Sequence, residues 1–204
     1  MNPSRAPGAV PGLDDLEALF RERQAEEEPR ARPGRELAAV FALFVARGEE
    51  PAVLLTRRSQ DVAHHKGEIA FPGGVVEPGD AGLLDTARRE TVEELGVRPE
   101  DIEPWGALSP VATSSGFLVL PFTGRLVNRG GVSPCADEVE EVFDVPLSTL
   151  LDPACVRDIS VLEGDVLNRG HGYACEGRVV WGATAAILSE VVGIISDRTS
   201  REQR

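Results

Sequence analysis

The sequence has no long apolar run. None of its 204 residues belongs to a stretch approaching the roughly 20 consecutive apolar residues that a membrane-spanning helix needs. The first 15 residues, MNPSRAPGAVPGLDD, lack the apolar segment after a basic start that marks a secretory signal. We therefore expect a cytoplasmic protein without a membrane partner.

Cysteine is scarce. The three cysteines, Cys135, Cys155 and Cys175, are odd in number and widely separated. They form no C-x-x-C pair and have no neighbouring histidine at the spacing of a zinc site. We expect neither a disulfide framework nor a structural zinc ion, and we expect each cysteine to be a small, partly buried apolar residue.

Basic residues are also few. The chain has 21 basic and 34 acidic residues, which gives a net charge of −13, and Lys66 is its single lysine. Nucleic acid would be repelled on average, so we expect no nucleic-acid partner. A small anionic substrate remains compatible with this charge if metal cations or a local basic pocket offset it at the site.

The length fits one domain. Prolines among small residues predict a flexible tail over residues 1–12, and the pattern LDDLEALFRERQAE predicts a helix from Leu13 to about Glu26. We assign residues 13–34 to this helix and a linker, residues 35–199 to the main domain, and residues 200–204 to a second tail.

Strand and helix patterns alternate along the main domain, which indicates a mixed α/β fold. The predicted strands are Leu37 to Ala46, Ala52 to Thr56, Gly67 to Phe71, Phe117 to Leu126 and Arg178 to Trp181, and the predicted helices are Ala81 to Leu95 and Thr184 to Ile195.

The segment from Gly73 to Val97 is the most informative part of the chain. A glycine-rich loop ends at Asp80, a candidate N-cap, and the helix after it ends before Gly96, a candidate C-cap residue. One side of this helix carries Leu84, Ala87, Thr91 and Leu95 and can pack on a sheet.

Three carboxylates lie together on another side of the same helix. With Glu90 at zero, Glu93 falls near roughly −60° and Glu94 near roughly +40°, an arc of about 100°. Carboxylate oxygens suit Mg²⁺, with Mn²⁺ as a substitute, and Mg²⁺ commonly joins protein carboxylates to substrate phosphates. Taken alone, the cluster is more typical of a solvated acidic helix face.

The context of the cluster resembles the signature of the Nudix hydrolase family, G-x5-E-x7-R-E-U-x-E-E-x-G-U. The matching positions are Gly73-Gly74, Arg89-Glu90, Glu93-Glu94 and Gly96-Val97. Thr91 departs from the hydrophobic U position. Asp80, which best fills the earlier acidic position, lies one residue farther upstream than usual.

That longer spacing, together with the upstream segment, is similar to the coenzyme A pyrophosphatase branch of the family. Leu54-Leu55-Thr56-Arg57-Arg58-Ser59, His65-x-Gly67-Glu68 and Phe71-Pro72-Gly73-Gly74 resemble its motif L-L-T-x-R-S…H-x-G-E…F-P-G-G. The stretches Ser115-Gly116-Phe117 and Trp181-Gly182-Ala183-Thr184-Ala185 are similar to the branch as well.

The resemblance implies a Nudix-type α/β/α sandwich with a mixed central sheet and a catalytic loop-helix-loop. It also implies metal-dependent cleavage of the pyrophosphate of coenzyme A or acyl-coenzyme A, giving 4′-phosphopantetheine or its acyl form and adenosine 3′,5′-bisphosphate. Alternatives are a pyrophosphatase for ADP-ribose, NADH or another nucleoside diphosphate derivative, a non-catalytic nucleotide-binding Nudix module, and an acidic protein-interaction domain. Many relatives are homodimers, so a homodimer is possible here.

The same resemblance assigns roles to the acidic residues. Glu90 and Glu94 are expected metal ligands, and Glu93 is a third ligand or the base that orients water. Arg89 is expected to steady Glu93 by an ion pair, or else to be an exposed surface arginine. Glu138 is the expected additional loop carboxylate, although Glu141 lies close by and the loop can also be read as a solvated acidic loop.

The remaining site predictions concern the substrate. Gly73 and Gly74 are expected to let backbone approach metal or phosphate closely, besides supplying turn conformations. Coenzyme A carries a ribose 3′-phosphate, and the basic patch before the site is the candidate to bind it, although its arginines can also simply cap strand ends. That patch comprises Arg57, Arg58, Ser59, His65 and Lys66.

Overall fold

The computed structural model describes residues 10–22, 29, 34–60, 66–163 and 166–202. Its larger sheet contains eight strands. They are β1 (Glu36–Arg47), β2 (Glu50–Arg58), β3 (Ile69–Ala70), β4 (Gly73–Val75), β5 (Ile102–Ala107), β6 (Val111–Ala112), β7 (Phe117–Leu126) and β8 (Val139–Pro146).

A smaller antiparallel sheet and the helices complete the fold. The small sheet contains β9 (Val156–Glu163), β10 (Val166–Cys175) and β11 (Arg178–Val180). The helices are α1 (Leu13–Arg21), α2 (Leu83–Leu95), α3 (Leu147–Leu151) and α4 (Gly182–Glu202). No helix in the described ranges combines the length and apolar character needed to span a membrane.

The large sheet is mixed. Strand β1 runs parallel to β7, with Glu36 beside Phe117, and antiparallel to β2 and β4. Parallel strands need a crossover connection, and the chain between β1 and β7 includes α2. The predicted mixed α/β class with a mixed central sheet is confirmed.

Alternate residues of β1 belong to two hydrophobic clusters on opposite faces of the sheet. Ala39, Phe41 and Leu43 pack in a cluster with the apolar side of α2. Ala42 and Phe44 belong to the other cluster, which contains side chains of α1, α3 and α4. Helices therefore cover both faces, as the sandwich prediction requires.

Helix α1 packs on its own chain. Phe20 is 1% exposed, and its ring centroid lies 5.5 Å from that of Phe44 and 6.4 Å from that of Trp105. The guanidinium of Arg198, near the end of α4, donates to the Asp15 carbonyl at 3.0 Å. The predicted helix thus belongs to the domain core.

Several predicted boundaries shift. Helix α1 ends at Arg21, and the predicted end at Glu26 and most of the tail over residues 1–12 lie outside the described residues. Helix α4 continues to Glu202, so residues 200–202, predicted as tail, form its last turn. Strand β7 occupies its predicted range, from Phe117 to Leu126.

The prediction that the cysteines form no disulfide is wrong for one pair. Cys155 and Cys175 form a disulfide across 20 residues. Cys155 immediately precedes β9 and Cys175 ends β10, and the register of this hairpin, with Tyr173 opposite Val156, brings them together. The spacing along the sequence does not reveal such a register. Cys135 is free and partly buried, as predicted.

Candidate active site

Helix α2 ends as predicted and begins differently. Gly96 adopts a left-handed conformation with φ 63°, and its N–H donates to the Val92 carbonyl at 2.9 Å. The N-cap is Gly82, so the prediction of Asp80 as N-cap is wrong. Asp80 instead accepts hydrogen bonds from the Thr86 hydroxyl at 2.7 Å and from the Glu77 N–H at 2.8 Å.

The apolar side of α2 lies against the sheet as predicted. Ala87, Thr91 and Leu95 are fully buried, and Leu84 is partly buried. Thr91 is tolerated at a hydrophobic position because its hydroxyl donates to the Ala87 carbonyl at 2.7 Å. The polar atom is therefore satisfied within the helix.

Arg89 is the centre of an ion-pair network. Its Nε and Nη2 contact the two carboxylate oxygens of Asp80 at 2.9 and 3.2 Å. Its Nη1 lies 3.0 Å from Glu90 Oε1 and 3.0 Å from Glu93 Oε2. The predicted ion pair with Glu93 is present, whereas the two-pronged contact with Asp80 had no signal in the sequence beyond the position of that residue.

The network stabilises the charged forms of Asp80 and Arg89. Hydrogen bonding from Arg89 holds the pKa of Asp80 well below its usual range. The same bond raises the pKa of the Arg89 guanidinium further above its usual value. Because Arg89 also donates to the Val75 carbonyl at 3.1 Å, it ties the loop after β4 to the acidic side of α2.

Glu94 is the buried carboxylate of the site. Its side chain is 4% exposed and accepts a hydrogen bond from the Gly73 N–H at 3.2 Å. The Arg58 Nη1 lies 3.4 Å from Glu94 Oε1. Burial raises the pKa of Glu94 to about 8, against the opposing effects of Arg58 and the Gly73 N–H.

Glu90 lies beside the glycine loop. Burial raises its pKa above the ordinary value of 4.5, and Arg89 opposes the shift. A Cβ on Gly74 would lie 2.4 to 2.7 Å from the carboxylate atoms of Glu90. Gly73 has φ 149°, and a Cβ there would lie 2.3 Å from the Ala39 carbonyl oxygen. The two glycines therefore allow close packing against Glu90 and against strand β1, and their approach to metal or phosphate stays a prediction.

Glu138 and Glu141 have different surroundings. The negative charge of Glu138 contributes to the raised pKa values of both Glu90 and Glu94. Glu141 is paired instead with Arg57 and Arg178. These surroundings favour Glu138 over Glu141 as the additional loop carboxylate, and that role stays a prediction.

The structure divides the predicted basic patch. Arg58 contacts Glu94, whereas Arg57 Nε lies 3.3 Å from Glu141 Oε2. Successive residues of a strand point to opposite faces, so these two arginines cannot form one continuous patch. Ser59 is buried and its N–H donates to the Glu138 carbonyl at 2.8 Å, Lys66 is exposed, and His65 lies outside the described residues.

The donor set has the chemistry of a site for a hard divalent cation. The charge of Glu138 helps to raise the pKa values of Glu90 and Glu94, the charge of Glu90 helps to raise that of Glu94, and a bound cation would reverse these effects. In the described part of the chain, no three acidic, histidine or cysteine side chains are already arranged to hold a metal ion. Arg89 pairs with Glu90 and Glu93, and Arg58 pairs with Glu94, where a cation would otherwise bind. The metal roles of Glu90, Glu93 and Glu94 therefore stay predictions.

Comparison with known proteins identifies the class. Residues 34–162 match the NUDIX domain family, so the chain belongs to the Nudix family. An uncharacterized Nudix hydrolase named NudL from Pectobacterium atrosepticum is 34% identical over 188 residues, covering 91% of this chain and 96% of that protein. A NudL from Enterobacter is 36% identical over 184 residues, covering 88% and 92%.

Solved structures agree on the fold. A MutT/nudix family protein from Enterococcus faecalis has a TM-score of 0.55 at 17% identity, covering 92% of this chain and 70% of that chain. A MutT protein from Methanosarcina mazei has a TM-score of 0.51 at 18% identity, covering 83% and 96%. The chain is a Nudix pyrophosphohydrolase, an enzyme acting on pyrophosphate-containing substrates, in a family that generally uses divalent metal cations.

Proposed function

We propose that the protein hydrolyses the pyrophosphate of coenzyme A or acyl-coenzyme A in a reaction that depends on Mg²⁺, with Mn²⁺ as a substitute. The products are 4′-phosphopantetheine, or its acyl form, and adenosine 3′,5′-bisphosphate. Water attacks one phosphorus of the pyrophosphate, and the bond from that phosphorus to the bridging oxygen breaks.

One observation carries the proposal. The segments that resemble the coenzyme A branch contact the Nudix helix at its buried carboxylate. Arg58, in the L-L-T-x-R-S segment, lies 3.4 Å from Glu94, and the N–H of Gly73, in the F-P-G-G segment, donates to Glu94 at 3.2 Å. The branch motif and the shared Nudix motif therefore build one site, which supports a substrate preference tied to that motif.

The carboxylates of the site and Arg89 have different roles in this reaction. Glu90, Glu94 and Glu138 would hold the cation, which neutralises charge on the pyrophosphate and polarises the attacking water. Glu93 is 54% exposed, held by Arg89 at 3.0 Å, and is suited either to add a ligand or to accept the proton of the water. Arg89 fixes Glu90 and Glu93 relative to the loop after β4, so it acts as a positioning residue.

The burial of Glu94 has a specific consequence. A pKa of about 8 means that Glu94 is largely protonated near neutral pH without a cation. Cation binding needs the carboxylate and therefore releases its proton. Arg58 lowers that pKa and so assists the ionised state that a cation requires.

Substrate profiling tests the proposal. Purified protein with Mg²⁺ is assayed for kcat/KM on coenzyme A, ADP-ribose and NADH, and Glu94→Gln serves as the inactive control. We expect coenzyme A to have the largest kcat/KM. A larger value for ADP-ribose or NADH would assign the chain to another pyrophosphatase activity, and binding without turnover of any substrate would indicate a nucleotide-binding module.

A further inference from the structure

Two buried threonines of α2 use their hydroxyl groups differently. Thr86 and Thr91 are both fully buried within the helix. The Thr91 hydroxyl donates to the Ala87 carbonyl, four residues earlier, at 2.7 Å. For Thr86 the corresponding carbonyl is that of Gly82, whose oxygen lies at 3.3 Å, whereas Asp80 Oδ2 lies at 2.7 Å. A hydroxyl has one proton and a carboxylate is the stronger acceptor, so Thr86 donates to a carboxylate outside the helix.

The Asp80 carboxylate joins this hydroxyl to the Arg89 guanidinium. Its side chain is 3% exposed. Oδ1 accepts from Arg89 Nε at 2.9 Å, and Oδ2 accepts from the Thr86 hydroxyl, from the Glu77 N–H at 2.8 Å and from Arg89 Nη2 at 3.2 Å. Thr86 has a short, β-branched side chain with a restricted rotamer, whereas the arginine side chain is long. The threonine therefore fixes the carboxylate relative to the helix backbone.

The guanidinium in turn holds two acidic side chains. Arg89 Nη1 lies 3.0 Å from Glu90 Oε1 and 3.0 Å from Glu93 Oε2. The guanidinium is planar and rigid, so its two bonds to Asp80 also set the position of Nη1. The Thr86 hydroxyl is thus linked to the acidic side of α2 by three consecutive contacts, the longest of 3.2 Å.

We propose that Thr86 is a positioning residue for pyrophosphate cleavage, acting through Asp80 and Arg89. The groups that it positions are the carboxylates of Glu90 and Glu93. Without the hydroxyl, the contact of Asp80 with the helix runs through the long Arg89 side chain, so the guanidinium and the carboxylates can shift together. Misplaced groups around a metal or a reacting atom lower the rate of the chemical step. The inference rests on the proposed function in the roles of these two carboxylates, and it does not depend on which nucleotide is cleaved.

Steady-state kinetics with Mg²⁺ gives the first test. Thr86→Val keeps the size of the side chain and removes the hydroxyl, and Thr86→Ser keeps the hydroxyl. Thr91→Val is the matched control, because it removes an equally buried hydroxyl that bonds within α2. We expect kcat to fall by about tenfold in Thr86→Val with little change in KM, and to stay near the wild-type value in the other two variants. Equal kcat values for the two valine variants, or an equal fall in Thr86→Ser, overturn the inference.

A second measurement follows the guanidinium without metal or substrate. NMR of ¹⁵N-labelled protein in EDTA measures hydrogen exchange of the Arg89 Nε–H with water. The Arg129 Nε–H, which donates to Asp144 at 2.9 Å, is the internal reference. We expect faster exchange at Arg89 alone in Thr86→Val, and wild-type exchange at both arginines in Thr91→Val. Unchanged exchange at Arg89 in Thr86→Val overturns the inference even if kcat falls. Equal acceleration at both arginines overturns it as well, because it indicates a general loss of stability.

Two additions keep the test decisive. Should Thr86→Val not fold, Thr86→Ala and Thr86→Ser, which differ in the hydroxyl alone, replace it in both measurements. Should the wild type cleave ADP-ribose faster than coenzyme A, the proposed substrate fails, and the kcat ratios measured on ADP-ribose decide the role of Thr86. Wild-type turnover of coenzyme A and wild-type exchange in every variant overturn that role and leave the proposed function intact.

Discussion

Glu94→Gln is the most informative single substitution. Glu94 is 4% exposed, and burial raises its pKa from an ordinary value of 4.5 to about 8. A carboxyl group with a raised folded-state pKa keeps its proton in the fold after the unfolded chain has lost it. Its contribution to stability is therefore present at low pH and is lost as the pH rises from about 4.5 to about 8.

The magnitude follows from that shift. One pKa unit corresponds to about 1.4 kcal/mol, so ionisation of Glu94 between pH 5 and pH 8 costs the metal-free fold roughly 3 kcal/mol. Glutamine keeps the size and stays neutral, so the variant avoids this loss. We expect Glu94→Gln to be more stable than the wild type by roughly 4 kcal/mol at pH 8 and by only about 1 kcal/mol at pH 5.

Urea denaturation with EDTA at the two pH values measures the difference in unfolding free energy. Titrating groups outside the site contribute equally to both proteins, so the comparison isolates Glu94 and the groups coupled to it, Arg58, Glu90 and Glu138. Adding Mg²⁺ at pH 8 should stabilise the wild type and not the variant, and the variant should lose most hydrolysis. The reasoning is refuted if the variant is less stable at pH 8, or if the difference does not change with pH.

Four more predictions follow from particular contacts. Gly74→Ala should lower turnover by about tenfold or more with little loss of stability, because the added methyl group would lie 2.4 to 2.7 Å from the Glu90 carboxylate atoms and displace them. Gly79→Ala is the control, because a Cβ at Gly79 meets open space. Equal activities of the two variants would contradict the close approach of Gly74 to Glu90. Phe20→Ala should lower the unfolding free energy by about 3–5 kcal/mol in urea denaturation, because the ring packs in the core. A loss of unfolding free energy below about 1 kcal/mol would indicate that α1 does not pack in the core. Arg58→Ala should lower kcat/KM for coenzyme A and dephospho-coenzyme A by the same factor, since it acts through the buried carboxylate of α2, and a selective loss on coenzyme A would count against that role. Thiol titration of the unfolded protein should find one free thiol without reductant and three after reduction, and three without reductant would exclude the disulfide.

Local patterns predicted eight of the fifteen helices and strands in the described residues and missed β4, β5, β6, β8, β9, β10 and α3. The boundaries of β7, the C-cap at Gly96 and the buried side of α2 all follow from periodicity and from residue types near one another in the chain. Such features depend on a few neighbouring residues, so a sequence contains the information directly. The Nudix spacing likewise placed Glu90, Glu93 and Glu94 on one helix.

Contacts between distant segments could not be predicted in the same way. The disulfide depends on the register of the β9–β10 hairpin, and Arg178 meets Glu141 from a different sheet, 37 residues away. The separation of Arg57 from Arg58 follows from strand alternation, but a run of basic residues suggests a single patch when the strand end is not known. Asp80 looked like a helix cap because its position fits one, yet the guanidinium of Arg89 binds it.

The most direct test of the central claim is the identity of the products. Purified protein is incubated with coenzyme A and Mg²⁺, with Glu94→Gln and an EDTA-treated sample as controls, and the products are separated by chromatography. We expect equal amounts of 4′-phosphopantetheine and adenosine 3′,5′-bisphosphate from the wild type and neither compound from the controls. Intact coenzyme A after prolonged incubation with active, folded protein would contradict the claim.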